Sequence, residues 1–234
     1  MAEFIHHLLF GIYPYIALAV LAVGSVIRYD REPYSWRAGS SQLLRRKQLI
    51  VGSVLFHLGV LMIFAGHVVG LLTPIAVFDA LGISHGAKQL LAIVAGGFAG
   101  VLGIVGATLL IHRRFFDPRI RAASSFSDNM VILLLWAQLA LGLATIPLSL
   151  QHLDGHEMVK FMNWAQGIFT FQGDAASHVR NVDPVFKTHL FLGLTILLLF
   201  PFTRLVHMLS APVRYLWRPG YQVVRSRKAA LRHG

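Results

Sequence analysis

The sequence has no cysteine among its 234 residues. This absence excludes disulfide bonds, iron–sulfur clusters held by thiolates, and covalently attached c-type haem. Charge is also scarce, since charged side chains make up 13% of the residues and only 10 residues are Asp or Glu. Hydrophobic residues make up 56%, far more than a soluble domain needs. We therefore expect an integral membrane protein in which any redox centre is held by ligands other than cysteine.

Five apolar stretches are long enough to cross a bilayer, whose core of about 30 Å takes about 20 helical residues. These stretches, called spans one to five, lie near residues 4–27, 49–73, 89–111, 129–149 and 185–209. No basic residue precedes span one and no cleavage site with a soluble domain follows it, so we expect a retained span and not a signal peptide. The predicted fold class is an all-α membrane protein with five transmembrane helices in a single domain, residues 1–234.

Basic residues are distributed unequally between the two sides of the predicted membrane protein. Of the 21 lysines and arginines, all but Lys88, Lys160, Arg180 and Lys187 lie after span one, after span three, or from the end of span five onward. Because basic loops face the cytoplasm, the N-terminus is predicted outside and the C-terminus, with a basic tail at 210–234, in the cytoplasm. The net charge of +11 therefore reflects membrane topology, and no nucleic-acid partner is expected.

The longest outer connection, from about 150 to 184, contains the stretch HEMVKFMNWAQGIFTFQ. Its apolar residues recur at helical spacing: Met158, Phe161, Met162, Ala165, Ile168 and Phe169. This pattern predicts an amphipathic helix on the outer face between spans four and five.

Span three contains the glycine-rich stretch GGFAGVLGIVG. Its glycines recur mostly at intervals of three: Gly96, Gly97, Gly100, Gly103 and Gly106. Small residues let a second backbone or a flat cofactor approach a helix closely, and plain helix packing is the favoured interpretation.

Four histidines lie inside apolar spans: His57 and His67 in span two, and His189 and His207 in span five. An ionisable side chain at membrane depth is costly and indicates function by default. Because the two spans run in opposite directions, His57 and His207 share the inner level, and His67 and His189 share the outer level. Imidazole is a usual axial ligand of haem iron, and the lack of cysteine points to noncovalent b-type haem. Pro201, between the two histidines of span five, predicts a kink.

The other histidines are interpreted as exposed polar residues in loops or at helix ends. They are His6, His7, His85, His112, His152, His156, His178 and His233. His152 and His156 are spaced for metal binding on a helix, but two ligands without a third are a weak signal.

Long ordered motifs resemble the gamma subunit of respiratory nitrate reductase, a membrane cytochrome b, over nearly the whole chain. They include IYPYIA near Tyr13, RYD at Arg28, SSQ at Ser40, LFHLGVLMIFAGH through His57 and His67, GLLTP ending at Pro74, DPRIRA at Arg119, ATIPLS at Ile146, QHLDG at His152, and KTHLFLGLTILLLFPFTRLVH through His207. The resemblance implies that these two pairs of histidines ligate two haem b groups, His57 with His207 at the inner haem and His67 with His189 at the outer haem.

The resemblance also implies an activity and partners in the bacterial cell inner membrane. Such a subunit oxidises membrane quinol, menaquinol or ubiquinol, near the outer haem. It passes electrons inward to an iron–sulfur subunit, which feeds a molybdenum-containing catalytic subunit in the cytoplasm. Lys88 matches a lysine of the family's quinol site, and Gly66, beside His67, leaves room for a quinol ring. The chain is therefore expected to oxidise quinol and not to reduce nitrate itself.

Two alternatives stay open at this point. A haem-free transporter could use the histidines as a proton relay, although Asp and Glu are absent from the middle of all five spans. A di-haem cytochrome b could instead serve another quinone-linked reductase. A visible spectrum tests the first alternative, and the soluble subunits that co-purify with the chain test the second.

Overall fold

The computed structural model describes residues 1–36 and 44–210. In this part of the chain every regular element is helical, and five helices are long and apolar enough to cross a membrane. They are Ala2–Arg31, Arg46–Leu72, His85–Phe116, Phe126–Ser149 and Pro184–Phe202. The predicted all-α class with five transmembrane helices is confirmed. Beyond Ser210, the predicted basic tail lies outside the described residues, as does Ser40 of the SSQ motif.

The first four helices begin a few residues before the apolar stretches that predict them. For spans three and four the reason is capping, because polar residues at a helix start accept hydrogen bonds from otherwise unpaired backbone N–H groups. No side chain caps the starts of spans one and two. The Ser84 side chain accepts from the amide of Ala87 at the start of span three. The Ser125 side chain does the same for Asp128 at the start of span four.

Span five differs from its prediction. The α-helix Pro184–Leu199 is followed by two 3₁₀ segments, Phe200–Phe202 and Arg204–Ser210, with Thr203 extended between them. Within the predicted span, 185–209, the kink expected at Pro201 is instead a break, since the α-helix ends at Leu199. Pro201 supplies the physical reason, because its ring crowds the preceding turn and it has no backbone N–H to donate. His207 therefore lies on a separate segment beyond the end of the helix.

Spans two and three pack backbone against backbone through their glycines. A Cβ atom at Gly59 would lie 2.5 Å from the carbonyl oxygen of Ala99, and one at Gly106 would lie 2.7 Å from that of Gly52. Gly100 and Gly103 face leucine side chains of span four. A Cβ atom at Gly97 would lie 3.3 Å from Ile146 of span four, so these contacts confirm helix packing for four of the five glycines in the span-three stretch, whereas Gly96 has open space around it.

The predicted surface helix is present at His156–Phe169 and buries Met162, Trp164, Ala165 and Ile168. The side chain of Trp164, which the apolar pattern missed, donates to the carbonyl of Phe10 at 2.9 Å. Phe169, expected on the buried face, is 55% exposed. We call the end of the bundle covered by this helix the surface-helix end. The opposite end, where residues 117–125 join spans three and four, is the basic end.

Candidate functional site

The first histidine pair lies toward the basic end. His57 projects from span two and His207 from the 3₁₀ segment Arg204–Ser210. Their ring centroids are 6.3 Å apart and the ring planes are inclined at 70°. The structure thus brings together the two residues that the topology paired, even though His207 is not on a continuous span-five helix.

The second pair lies toward the surface-helix end and joins His67 of span two to His189 of span five. Its ring centroids are also 6.3 Å apart, with an interplanar angle of 46°. This pairing, too, is the one that the opposite directions of the two spans predict.

The separation of 6.3 Å has a chemical meaning. A metal–imidazole bond is about 2.0–2.1 Å long, and the bound nitrogen lies about 1.1 Å from the centre of its ring. Two imidazoles that bind one metal from opposite sides therefore have ring centroids about 6.3 Å apart. Both pairs therefore have the spacing that a shared metal ion requires.

Three of the four rings hold one nitrogen against a main-chain carbonyl. The Nδ1 atoms of His57 and His67 lie 2.7 Å from Ser53 O and 2.8 Å from Ile63 O, and that of His207 lies 2.5 Å from Arg204 O. A carbonyl oxygen only accepts hydrogen bonds, so Nδ1 carries the proton in each ring. In the neutral tautomer with this proton on Nδ1, Nε2 is the nitrogen that can bind a metal.

The two span-two histidines are exposed although they lie in the apolar part of a membrane helix. His189 and His207 are half-buried. A polar ring that faced lipid would be costly at this depth. Gly66, one residue before His67, is exposed and has no atom within 4 Å of a Cβ built there.

Arg28 of span one positions the segment that carries His207. Its guanidinium donates to the carbonyls of Pro201 at 2.6 Å and Thr203 at 2.7 Å, on both sides of the break in span five. A second arm donates to the carbonyl of Ser35 at 2.8 Å. These bonds supply donors for carbonyls that a continuous helix would have paired with its own backbone.

A cluster of charges completes the support for this segment. Asp128 at the start of span four lies 3.5 Å from Arg204 and 3.8 Å from Arg114 of span three. The carboxylate thereby links the ends of three elements next to His207.

Lys88, in the first turns of span three, is buried with 8% of its surface exposed. Its Nζ atom lies 2.7 Å from the sulfur of Met162 and 3.8 Å from the centre of the Phe78 ring. Phe78 belongs to the short helix Ile75–Ala80, so the ammonium sits between that helix and the surface helix. Lys88 is thus a buried cation in an apolar pocket at the surface-helix end and not an exposed interfacial residue.

Two of the remaining histidines have contacts that the sequence did not reveal. His85 was expected in a loop, but it begins the helix of span three and lies 3.4 Å from Asp79. His6 was expected to be exposed, but it is half-buried and its Nε2 lies 2.8 Å from the carbonyl oxygen of Ala176. Both histidines tie helix ends together, a role that depends on distant partners without a local signal.

Known proteins resemble this chain over almost its full length. A family model described as nitrate reductase gamma subunit matches residues 6–227. The respiratory nitrate reductase 1 gamma chain of Escherichia coli is 50% identical over 225 residues, covering 96% of this chain and 99% of the relative. The respiratory nitrate reductase 2 gamma chain of the same organism is 47% identical, covering 97% and 100%. The nitrate reductase gamma chain of Bacillus subtilis is 40% identical, covering 94% and 98%.

Proposed function

The chain belongs to the nitrate reductase gamma subunit family and is a multi-pass inner-membrane protein, and on this premise we propose that it is the quinol-oxidising, di-haem subunit of a respiratory nitrate reductase. The observation that carries the proposal is the equal spacing of the two histidine pairs, 6.3 Å between ring centroids in each. The family match favours nitrate reductase over other quinone-linked reductases as the enzyme that this subunit serves.

The donor set fits haem b. Each pair offers two imidazoles, and the described residues contain no group of three or more His, Cys, Asp or Glu side chains that could hold a metal ion. The porphyrin of haem would supply the remaining ligands of an iron held between two such imidazoles. Without cysteine, attachment is noncovalent. His57 and His207 would hold the inner haem, and His67 and His189 the outer haem.

When bound, the haems supply one-electron carriers of tunable potential. The chain's own part is to fix the imidazoles. The hydrogen bonds from Nδ1 of His57, His67 and His207 to backbone carbonyls orient each ring and raise the basicity of its Nε2. Arg28 fixes the segment on which His207 lies.

Quinol, menaquinol or ubiquinol, would bind on the outer side near His67, His189 and Lys88. The buried ammonium of Lys88 would donate a hydrogen bond to a quinol oxygen in place of its contact with Met162. The walls formed by Phe78 and the surface helix are apolar, but the cavity that they enclose has a volume of only about 10 Å³, so a quinol ring would enter only if the two helices moved apart. The open space beside Gly66 would admit that ring next to the outer haem.

The direction of electron transfer follows from the predicted topology. Protons from quinol leave to the outside, and two electrons moving inward against 100 mV store about 4.6 kcal/mol, from about 2.3 kcal/mol per charge. Because the chain has no cysteine to hold an iron–sulfur cluster, a partner must carry the electrons further. Membership of the family implies that this partner is an iron–sulfur subunit, which would feed a molybdenum-containing subunit in the cytoplasm. The basic loops offer the docking face for these partners.

The experiment that tests the function compares His67→Ala with His57→Ala in the purified complex. We expect His67→Ala to remove the outer haem absorbance and quinol-driven reduction while the inner haem remains. His57→Ala should remove the inner haem instead. His152→Ala, in the surface-helix connection, is the matched control and should retain both haems. Two haems with unchanged spectra in His67→Ala would contradict the assignment.

A further inference from the structure

His189 differs from the other three paired histidines. Its Nδ1 atom is buried and has no hydrogen-bond partner, whereas the Nδ1 atoms of His57, His67 and His207 each meet a main-chain carbonyl. A buried ring nitrogen without a partner costs free energy, and a metal-binding imidazole normally donates from its second nitrogen to an acceptor. An acceptor for His189 is therefore needed.

Gln138 of span four is the polar side chain that contacts this ring. Its Nε2 atom donates to the carbonyl oxygen of His189 at 3.1 Å and lies 3.5 Å from His189 Nε2. Its Oε1 atom is buried and has no partner. Gln138 thus carries an unpaired acceptor oxygen and His189 an unpaired ring nitrogen, Nδ1. The ring nitrogen nearest the Gln138 amide is Nε2, so pairing the two unpaired atoms requires the imidazole to turn about its Cβ–Cγ bond.

Two glycines make room for this contact. A Cβ atom at Gly142 would lie 3.1 Å from Cε1 of His189, and one at Gly193 would lie 3.1 Å from Nε2 of Gln138. Gly142 follows Gln138 by one helical turn, and Gly193 follows His189 by one turn, so each helix offers a polar side chain and a notch for the other. The arrangement is reciprocal and fixes the register of spans four and five at His189.

We propose that Gln138 is the positioning residue of His189: its amide nitrogen holds the backbone of span five, and its oxygen accepts the N–H of the imidazole when the ring binds the outer haem. This inference rests on the haem-ligand role proposed above. Gln138 then does through a side chain what backbone carbonyls do for the other three histidines. An acceptor at this nitrogen raises imidazole basicity, which stabilises the oxidised iron and lowers the potential of the outer haem.

The test compares Gln138→Met, which keeps the bulk but removes the acceptor, with Gln138→Glu, which keeps an acceptor oxygen. In the intact complex we measure haem content, the low-spin electron paramagnetic resonance signals and both midpoint potentials. Gln138→Met should shift the outer-haem potential to a more positive value and alter that haem's signal, leaving the inner haem unchanged. Gln138→Glu should leave the outer potential at the wild-type value or move it to a more negative one. The proposal is also supported if Gln138→Met loses the outer haem and Gln138→Glu retains it.

Gln48→Met is the matched control. Gln48 contacts the carbonyl of Leu109 and, at the basic end, the ring of His112, which belongs to neither histidine pair. This substitution should leave the outer-haem potential unchanged. The inference is overturned if Gln138→Met leaves the outer haem unchanged. It is also overturned if Gln138→Met and Gln138→Glu both shift the outer-haem potential to a more positive value, or if both variants lose that haem. A wild-type complex without haem overturns the proposed function as well, so the two failures are distinguishable.

Discussion

A histidine in an apolar span must satisfy two ring nitrogens. In His57, His67 and His207 the two nitrogens have the same roles. Nδ1 donates to a nearby main-chain carbonyl, and Nε2 is left for another partner. In the proposed haem-ligand role, each of these three rings would be oriented before the cofactor binds, which would reduce the reorganisation that binding requires.

The position of Lys88 gives the first prediction. Replacing Lys88 with Ala removes a buried donor from an apolar pocket without touching a histidine, so we expect slower quinol oxidation with both haems retained. The measurement is the rate of haem reduction by quinol after rapid mixing, together with inhibitor binding.

The control for Lys88 is Lys160→Ala. Lys160 is a half-buried lysine on the surface helix that pairs with Glu157 and has no place in the pocket. Its replacement should leave the reduction rate unchanged. A Lys88→Ala complex with the wild-type rate and unaltered inhibitor binding would remove Lys88 from the quinol site.

The sequence predicts which histidines pair, but it does not predict the contacts of Lys88 and Trp164. The histidine pairs follow from two apolar spans of opposite direction, which requires no knowledge of side-chain conformation. The burial of Lys88 and the bond from Trp164 to Phe10 depend on how the surface helix docks. Those distant contacts leave no local pattern to read.

At the scale of elements, spans two and three form the rigid part that carries His57 and His67. Their close approach requires glycine, since a side chain at Gly59 or Gly106 would meet the backbone of the other helix. The spacing of the two histidines on span two is thus set by a helix held against its neighbour.

We predict that Gly59→Ala forces these helices apart. Overpacking costs about 1–3 kcal/mol, so the complex should lose its haem absorbance at a lower temperature than the wild type. Gly70→Ala is the control on the same span, because open space surrounds Gly70. Equal thermal stability of the two variants would show that the contact at Gly59 is not needed.

The break in span five gives a second prediction at this scale. Arg28 holds the carbonyls of Pro201 and Thr203, and hydrogen bonds to charged groups contribute about 1.5–3 kcal/mol. Arg28→Gln should therefore loosen the segment that carries His207 and reduce inner-haem occupancy. The outer haem should remain.

The control for Arg28 is Arg31→Gln at the end of the same helix. Arg31 contacts the exposed carboxylate of Asp30, so its replacement should leave both haems in place. Haem-to-protein ratios and the two spectral components report the result. Full inner-haem occupancy in Arg28→Gln would show that the segment holds its place without this arginine.

The transmembrane helices and the surface helix could be predicted from the sequence, but the end of the span-five helix could not. Continuous apolar length identifies a span, and the surface helix is visible from its period. The sequence predicted a kink at Pro201, but it did not show that the α-helix ends at Leu199 and is followed by 3₁₀ segments. A proline in an apolar run is compatible with a kink or with a break, and tertiary contacts decide.

At the scale of the whole molecule, the bundle places two similar sites one above the other along the membrane normal. Spans two and five supply the histidines, span four supports His189 through Gln138, and span one supports the His207 segment through Arg28. Span three packs against span two and carries Lys88. Each helix thus contributes a residue or a contact to the sites between the Lys88 pocket and the basic end.

The most direct measurement is the reduced-minus-oxidised visible spectrum of the complex, with haem counted per chain. The account predicts two noncovalent b-type haems per chain, and it predicts that His57→Ala and His67→Ala each remove a different one. A colourless complex, or two haems that survive both substitutions, would contradict it.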